Sequence, residues 1–286
     1  MKTMAILALA AAILSGPHHA AAEPVPADPV DRCRGILRAI PPLTHATATV
    51  ERIEPVGAYG CRFTGVTADT DGKRTSIGLI LADRIDFDRI YNGRIPDAIT
   101  LHVQDIVIRD DKLPSGLGPF DFIADYDLDA RAKVFMLREL TLRGASLGEL
   151  TLSGEVEGYI LPDHGGFWPD VDDQKTIGLR RFRLRAVDRG FIRTALLGQS
   201  SPERDGRTAV DDVKREISAN LARWPGFGVP RPAVGALTAF VQDLPSPRRP
   251  ITINATPSTP IPLARLDPTD PRLRQTMDRL NLVVTY

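Results

Sequence analysis

The sequence predicts an α+β fold in which an antiparallel β-meander forms a curved sheet and C-terminal helices pack on it. Through residues 44–187, apolar and polar residues alternate with period two between turn signals, which is typical of half-buried strands. From residue 188 to 286 the apolar spacing lengthens to that of helices, with short strands near the end. Strands followed by helices is the order expected of one α+β domain.

Residues 23–43 are predicted to be a Pro-rich leader followed by a short helix. Asp28 fits the N-cap of that helix, Pro29 fits its first position, and Pro41 ends it. Its apolar side is expected to contain Val30, Cys33, Leu37 and Ile40. Cys33 therefore points toward the sheet.

The β-region divides into eight predicted strands. They cover residues 46–53, 59–67, 75–87, 99–108, 122–128, 133–142, 149–159 and 176–187. The alternation is clearest in the seventh, where Leu150, Leu152 and Val156 share one face. In the eighth, alternation places Leu179 on the face of the three arginines Arg181, Arg183 and Arg185.

The C-terminal region is predicted to begin with a short helix at 190–197. Thr208 then caps a longer helix that Pro225 and Gly226 end, and Pro232 opens a third. The apolar stripe of the longer helix is expected to comprise Val210, Val213, Ile217, Leu221 and Trp224. A strand at 251–256, a helix at 271–280 and a strand at 282–286 complete the domain.

Residues 1–22 have the composition of a secretory signal peptide. Lys2 supplies a positive start, residues 4–14 form an uncharged apolar run, and small residues precede Glu23. The run is too short to span a bilayer, which needs about 20 residues. With no cysteine at the cleavage site and no second long apolar stretch, we expect a soluble protein exported to the periplasm.

Only two cysteines occur, Cys33 and Cys61. In an oxidising compartment an isolated pair is expected to form one disulfide. The alternatives are two buried free thiols or a metal pair, and only His45 lies between the cysteines as a further ligand.

The charge balance argues against nucleic acid as a partner, because the 36 basic residues equal the 36 acidic ones. Arg181, Arg183 and Arg185 are nevertheless candidates for binding an anion. The competing hypothesis pairs them across strands with Glu155 and Glu157.

Two motifs resemble catalytic or metal sites. Residues 144–148 match the G-x-S-x-G elbow of serine hydrolases around Ser146, but the alternation that follows predicts a hairpin loop and not the required helix. Asp125, Asp127 and Asp129 resemble the start of a calcium loop, but the glycine and the final glutamate are missing. A strand face ending in a turn is the preferred interpretation.

One loop gathers a histidine, carboxylates and aromatic residues. It contains His164, Phe167, Trp168 and Asp170, and loops on a rigid sheet often carry sites. We consider it a candidate ligand or partner loop, by metal binding or as the mouth of a cleft. The alternative is a polar connection whose aromatic residues close the core.

Two segments resemble exported proteobacterial proteins of unknown function and AsmA-like envelope proteins. They are residues 122–158, with Leu140-Thr141-Leu142 and Leu150-Thr151-Leu152, and residues 237–262, with Ile251-Thr252-Ile253 and Pro260-Ile261-Pro262. The resemblance implies a periplasmic β-sheet protein with a concave apolar face for lipid. It transfers no functional residues.

The sequence therefore favours a non-catalytic periplasmic protein that binds a lipid, another apolar ligand or an envelope partner. No catalytic set, metal site or cofactor is expected. The alternatives are a serine or metal-dependent hydrolase and a structural envelope protein. An open apolar trough at Leu150, Leu152 and Val156 favours ligand binding, whereas plugging of that trough by the long helix's stripe argues against it.

Overall fold

A computed structural model describes residues 24–39, 47–70, 73–92, 94–109, 118–160, 176–197, 206–267 and 270–286. The chain forms two compact units. Within each unit the strands pair antiparallel and largely in sequence order, so the predicted α+β meander is confirmed. No helix in these described ranges is long and apolar enough to cross a membrane.

The first unit contains a helix, a five-stranded meander and a one-turn helix. Its elements are α1 (Pro29–Ala39), β1 (Thr47–Val56), β2 (Gly60–Thr70), β3 (Lys73–Asp83), α2 (Phe87–Tyr91), β4 (Ala98–Arg109) and β5 (Phe120–Asp129). The strands pair in the order β1-β2-β3-β4-β5.

The second unit contains the later strands and the C-terminal helices. Its elements are β6 (Val134–Gly144), β7 (Gly148–Glu157), β8 (Gly178–Asp188), α3 (Phe191–Leu197), α4 (Gly206–Leu221), α5 (Arg231–Gln242), β9 (Ile251–Ala255), β10 (Ile261–Pro262), α6 (Leu273–Arg279) and β11 (Val283–Thr285). Two 3₁₀ turns, Trp224–Phe227 and Leu263–Leu266, connect them. The strand order is β6-β7-β8-β9-β11, and β10 pairs with β8.

The N-terminal helix begins as predicted and is joined to the sheet by a disulfide. The Asp28 carboxylate accepts hydrogen bonds from the backbone N–H groups of Val30 (2.8 Å) and Asp31 (3.0 Å), which is N-cap geometry. Cys33 and Cys61 form a disulfide with a Cα–Cα distance of 5.6 Å, and both are almost fully buried. The predicted disulfide is confirmed, and it attaches α1 to β2.

The third strand ends earlier than predicted. It stops at Asp83, and α2 follows where the sequence pattern predicted strand up to Phe87. The Asp86 side chain accepts a hydrogen bond from the backbone N–H of Arg89 at 3.0 Å and so caps a helix turn. Ile85 and Phe87 are both buried, so the apolar residues of this helix turn continue the alternation of the preceding strand. The sequence pattern therefore gave no sign that the strand had ended.

The long helix α4 packs on α5. Leu221 lies in one cluster with Val241 of α5 and Leu244, and Ile217 packs against it. The predicted place of Trp224 in this stripe is wrong, because the helix ends at Leu221 and Trp224 is 37% exposed in a 3₁₀ turn. The following residue is a proline, and a proline disfavours α-helical geometry at the residue before it. The helix therefore stops short of Trp224.

Helix α5 covers the sheet of the second unit at β9 and β11. Ala233 of α5 is buried with Ile251 of β9 and Val284 of β11, and Ala186 of β8 packs against the same cluster. The prediction that C-terminal helices pack on the sheet is therefore confirmed within this unit.

Candidate functional site: an open leucine face

Six leucines lie on one face of three adjacent strands. Directly opposed residues share a face of a sheet, and the register pairs Leu142 with Leu150, Leu140 with Leu152, and Leu152 with Leu184. We call this set the leucine face. Its members are Leu137, Leu140 and Leu142 of β6, Leu150 and Leu152 of β7, and Leu184 of β8.

None of the six side chains is buried; all are half-buried. The first unit contains a comparable row of apolar residues that is buried. There Phe63, Ile80, Val103 and Phe122 oppose one another across β2 to β5, and none is more than 6% exposed. An apolar face that stays accessible to solvent is characteristic of interaction and ligand-binding surfaces.

The leucine face continues under helix α5. Leu184 opposes Ile253, and Ala186 opposes Ile251, in the part of the sheet that α5 covers. The C-terminal part of the apolar stripe of α4 does not cover the leucine face, because Ile217 and Leu221 pack against α5. The face is thus bounded on one side by packed helix and remains accessible over β6 and β7.

A glycine interrupts the leucine face. Gly154 lies opposite Leu137 on one side and Phe182 on the other, so this position carries no side chain. The β6–β7 register shifts between Leu137 and Leu140 of β6, and the β7–β8 register shifts at Arg180 of β8, opposite Glu155 and Val156. Such bulges bend a strand and increase its twist.

The opposite face of β7 and β8 carries ion pairs. Arg180 contacts Glu155 and Glu157, both at 2.9 Å, and Arg185 contacts Glu149 at 2.7 Å. Hydrogen bonds to Glu155 and then Glu157 raise the pKa of Arg180 above its ordinary value. Arginines and glutamates do pair across these strands, but these three contacts are not the pairs that the sequence suggested, which joined Arg181, Arg183 or Arg185 to Glu155 or Glu157.

The three candidate anion-binding arginines have different surroundings. Arg181 lies 3.6 Å from Glu155, and Arg185 pairs with Glu149. Arg183 is exposed opposite Ser153 and, within the described part of the chain, has no ion-pair partner. Anion binding by these residues stays a prediction.

The predicted side of Leu179 is wrong. It packs with Ala255 and Phe182 and not on the side of the arginines. The bulge opposite Glu155 and Val156 adds Arg180 as an extra residue, which reverses the alternation of β8 at that point.

The loop candidates His164, Phe167, Trp168 and Asp170 lie outside the described residues, so the ligand-loop hypothesis stays a prediction. Residues 1–22, the predicted signal peptide, lie outside them as well.

The G-x-S-x-G motif is a hairpin turn between β6 and β7, as the alternation predicted. Gly144 ends one strand, Ser146 lies in the turn, and Gly148 begins the next strand. The nucleophile elbow of serine hydrolases needs a helix after the serine. Ser146 is followed by β7, so the elbow geometry is absent.

The aspartates that resembled a calcium loop face an arginine. Arg84 donates hydrogen bonds to Asp125, to Asp127 at 2.6 Å and to the hydroxyl of Thr100 at 2.9 Å. Asp129 accepts a hydrogen bond from the backbone N–H of Ala132 in the following turn. The guanidinium therefore supplies the positive charge that a metal ion would bring.

We expect Arg84→Met to lower the free energy of unfolding by about 2 kcal/mol, because it leaves two neighbouring carboxylates without their shared donor. The loss is smaller than for a fully buried pair, since the Arg84 side chain is 34% exposed. Urea unfolding measures it. Arg52→Met removes a more exposed pair with Glu54 and should change stability by less than about 0.5 kcal/mol; equal effects of the two variants would contradict the prediction.

In the described ranges no group of three or more His, Cys, Asp or Glu residues is placed to hold a metal ion. No protein-family model matches the chain, and no curated protein matches it either. The fold and the site together define an α+β meander protein with an accessible apolar sheet face.

Sequence reasoning found only part of this face. It named Leu150, Leu152 and Val156 but not the leucines of β6, because the bulge between Leu137 and Leu140 interrupts their alternation. The signal that remained was apolar residues at every second position on either side of the bulge, Phe135 and Leu137 before it and Leu140 and Leu142 after it.

Proposed function

We propose that this chain is an exported, non-catalytic protein that binds the acyl part of a lipid, or a similar apolar ligand, on the leucine face. Its compartment is the periplasm. The observation that carries the proposal is a set of six half-buried leucines on three adjacent strands.

The energetics favour a long-chain ligand. Each half-buried leucine has only part of its surface left to bury, which contributes roughly 0.5 kcal/mol on binding. A buried CH₂ group of the ligand contributes about 0.8 kcal/mol, so the acyl chain supplies the larger share. A small polar ligand would leave the leucines exposed to water and would gain little binding free energy from apolar burial.

Three further features support this proposal. The disulfide between Cys33 and Cys61 suits an oxidising compartment, as does the signal-like segment at residues 1–22. The turn at Ser146 lacks elbow geometry, which weighs against a serine hydrolase. The resemblance to AsmA-like envelope proteins points to lipid as the ligand class.

The first test is the composition of the protein purified from the periplasm of a bacterial host. Native mass spectrometry and solvent extraction are expected to reveal bound lipid in substoichiometric or higher amount. Protein that carries no lipid and shows no saturable binding of a fluorescent long-chain fatty acid would count against the proposal.

A charge on the leucine face should abolish ligand binding. We expect Leu152→Glu to weaken fatty-acid binding at least about tenfold, because ligand burial would desolvate the new carboxylate. The measurement is a fluorescence titration with the fatty-acid probe. Leu152→Thr keeps a β-former at this position and should weaken binding less, which guards against loss of the fold.

Ser153→Glu is the matched control. It adds the same charge one residue further along β7 but on the opposite face, across from Arg183. This variant should bind the probe like the wild type, and thermal unfolding checks that all three variants fold. If Ser153→Glu and Leu152→Glu lost binding equally, the leucine face would not be the site.

A further inference from the structure

The turn after helix α4 presents two large aromatic side chains to solvent. Trp224 is 37% exposed and Phe227 is 44% exposed, and all residues from 222 to 227 are exposed. A 3₁₀ turn brings side chains three residues apart onto the same side. Trp224 and Phe227 therefore form one apolar tip, which we call the aromatic tip.

The aromatic tip is held by the fold on both sides. Leu221 before it and Val229 after it are buried. Backbone hydrogen bonds close the turn, from the N–H of Gly226 to the carbonyl of Arg223 (3.0 Å) and from the N–H of Val229 to that of Trp224 (3.2 Å). The exposure of the two aromatic residues is thus fixed by an anchored turn and does not result from a frayed helix end.

The charged residues nearest the aromatic tip along the chain are basic. Between Glu216 and Asp243 the only charged residues are Arg223 and Arg231, and both are exposed. The backbone of Arg274 of α6 lies beside the turn, since a Cβ placed on Gly228 would be 2.7 Å from its carbonyl oxygen, and Arg274 is exposed. In the part of the chain that the structure describes, none of these three arginines has an ion-pair partner.

We propose that the aromatic tip docks the protein on the surface of an anionic lipid bilayer. Trp is enriched at the level of the lipid headgroups, Phe rings insert at the boundary between headgroups and acyl chains, and basic residues near a bilayer are attracted to anionic lipids. This inference rests on the proposed function, because a protein that binds acyl chains on its leucine face must meet a membrane to exchange them. A lipid surface fits better than an acidic protein because the tip combines insertion-prone rings with a basic surround.

Trp224 is a built-in reporter of docking. The chain has two tryptophans, so Trp168→Phe leaves Trp224 as the only one. On addition of phosphatidylglycerol vesicles, its emission should shift to shorter wavelength and be quenched by brominated acyl chains. Phosphatidylcholine vesicles should give a weaker response, and added salt should reduce the phosphatidylglycerol response.

Variants in the Trp168→Phe background locate the contact. Phe227→Ala should lower vesicle affinity about tenfold, and Arg223→Gln with Arg231→Gln should lower it for phosphatidylglycerol only. Tyr59→Ala removes a 66% exposed aromatic residue of the first unit and should change nothing. Leu152→Glu should still dock, which separates this inference from the ligand site.

An emission spectrum that phosphatidylglycerol vesicles leave unchanged would overturn the inference. So would a response that Phe227→Ala leaves intact. Crosslinking of the tip to an envelope protein without vesicle binding would show that its occupant is a protein and would overturn it too.

Discussion

Removal of the disulfide with Cys33→Ala and Cys61→Ala is expected to lower the free energy of unfolding by about 3 to 4 kcal/mol. The bridge closes a loop with a sequence separation of 28. In the chain-entropy model, a loop of this length restricts the unfolded ensemble by that amount. Denaturant unfolding of oxidised wild type and double variant measures the difference.

The loss should be greatest locally at helix α1. Cys33, Ile36 and Leu37 of this helix are buried, and the disulfide holds the helix to β2. Hydrogen exchange in α1 should therefore accelerate more than exchange in β3 or β4. Reduction of wild type by dithiothreitol should reproduce the effect; a double variant as stable as the oxidised wild type would show that the bridge contributes nothing.

The strands were predictable because each has one face richer in apolar residues. In β7 the alternation of Leu150 and Leu152 with Thr151 and Ser153 is visible in the sequence, and the register places them as expected. The disulfide followed from counting cysteines. Both rest on local pattern or composition, which a single sequence contains in full.

Bulges and caps were not predictable in the same way. The extra residue Arg180 moves Leu179 to the other face, and nothing in the residue types marks that position. The Asp86 cap began a helix inside an apparently apolar strand pattern. These features depend on which neighbouring strand meets which residue, and hence on the assembled fold.

The partners of charged residues were equally hidden. Arg84 lies 41 residues from Asp125 in the chain, and no spacing rule connects them. The pairing exists because Thr100 of β4 and the aspartates of β5 lie beside the end of β3. The sequence therefore predicted only a strand face ending in a turn at these aspartates, and it did not reveal their arginine partner.

The same reasoning explains why the full extent of the leucine face emerged only from the structure. Both faces of β7 are half-buried. One face is formed by leucines, and the other is formed by Glu149 and Glu155, which pair with arginines. From the sequence, the apolar face of such a strand could be either an open trough or part of the core. Its exposure could be recognised only once the helices were seen to pack over β9 and β11.

Gly148→Ala is expected to destabilise the second unit by about 3 to 5 kcal/mol. Gly148 has a φ of +96°, which residues with a side chain rarely adopt. A Cβ at this position would lie 1.8 Å from the carbonyl oxygen of Val187 and 2.9 Å from the backbone nitrogen of Arg189. Both obstacles are backbone atoms, so the β7–β8 pairing would have to shift.

The control for Gly148→Ala is Gly235→Ala in helix α5. Nothing lies within 4 Å of a Cβ at Gly235, and alanine in a helix is favoured over glycine by up to about 1 kcal/mol. Thermal and urea unfolding should therefore move in opposite directions for the two variants. A fluorophosphonate probe distinguishes two interpretations of residues 144–148. Labelling of Ser146 would indicate a nucleophile. Loss of stability in Gly148→Ala, without labelling of Ser146, is the result expected of a tight hairpin.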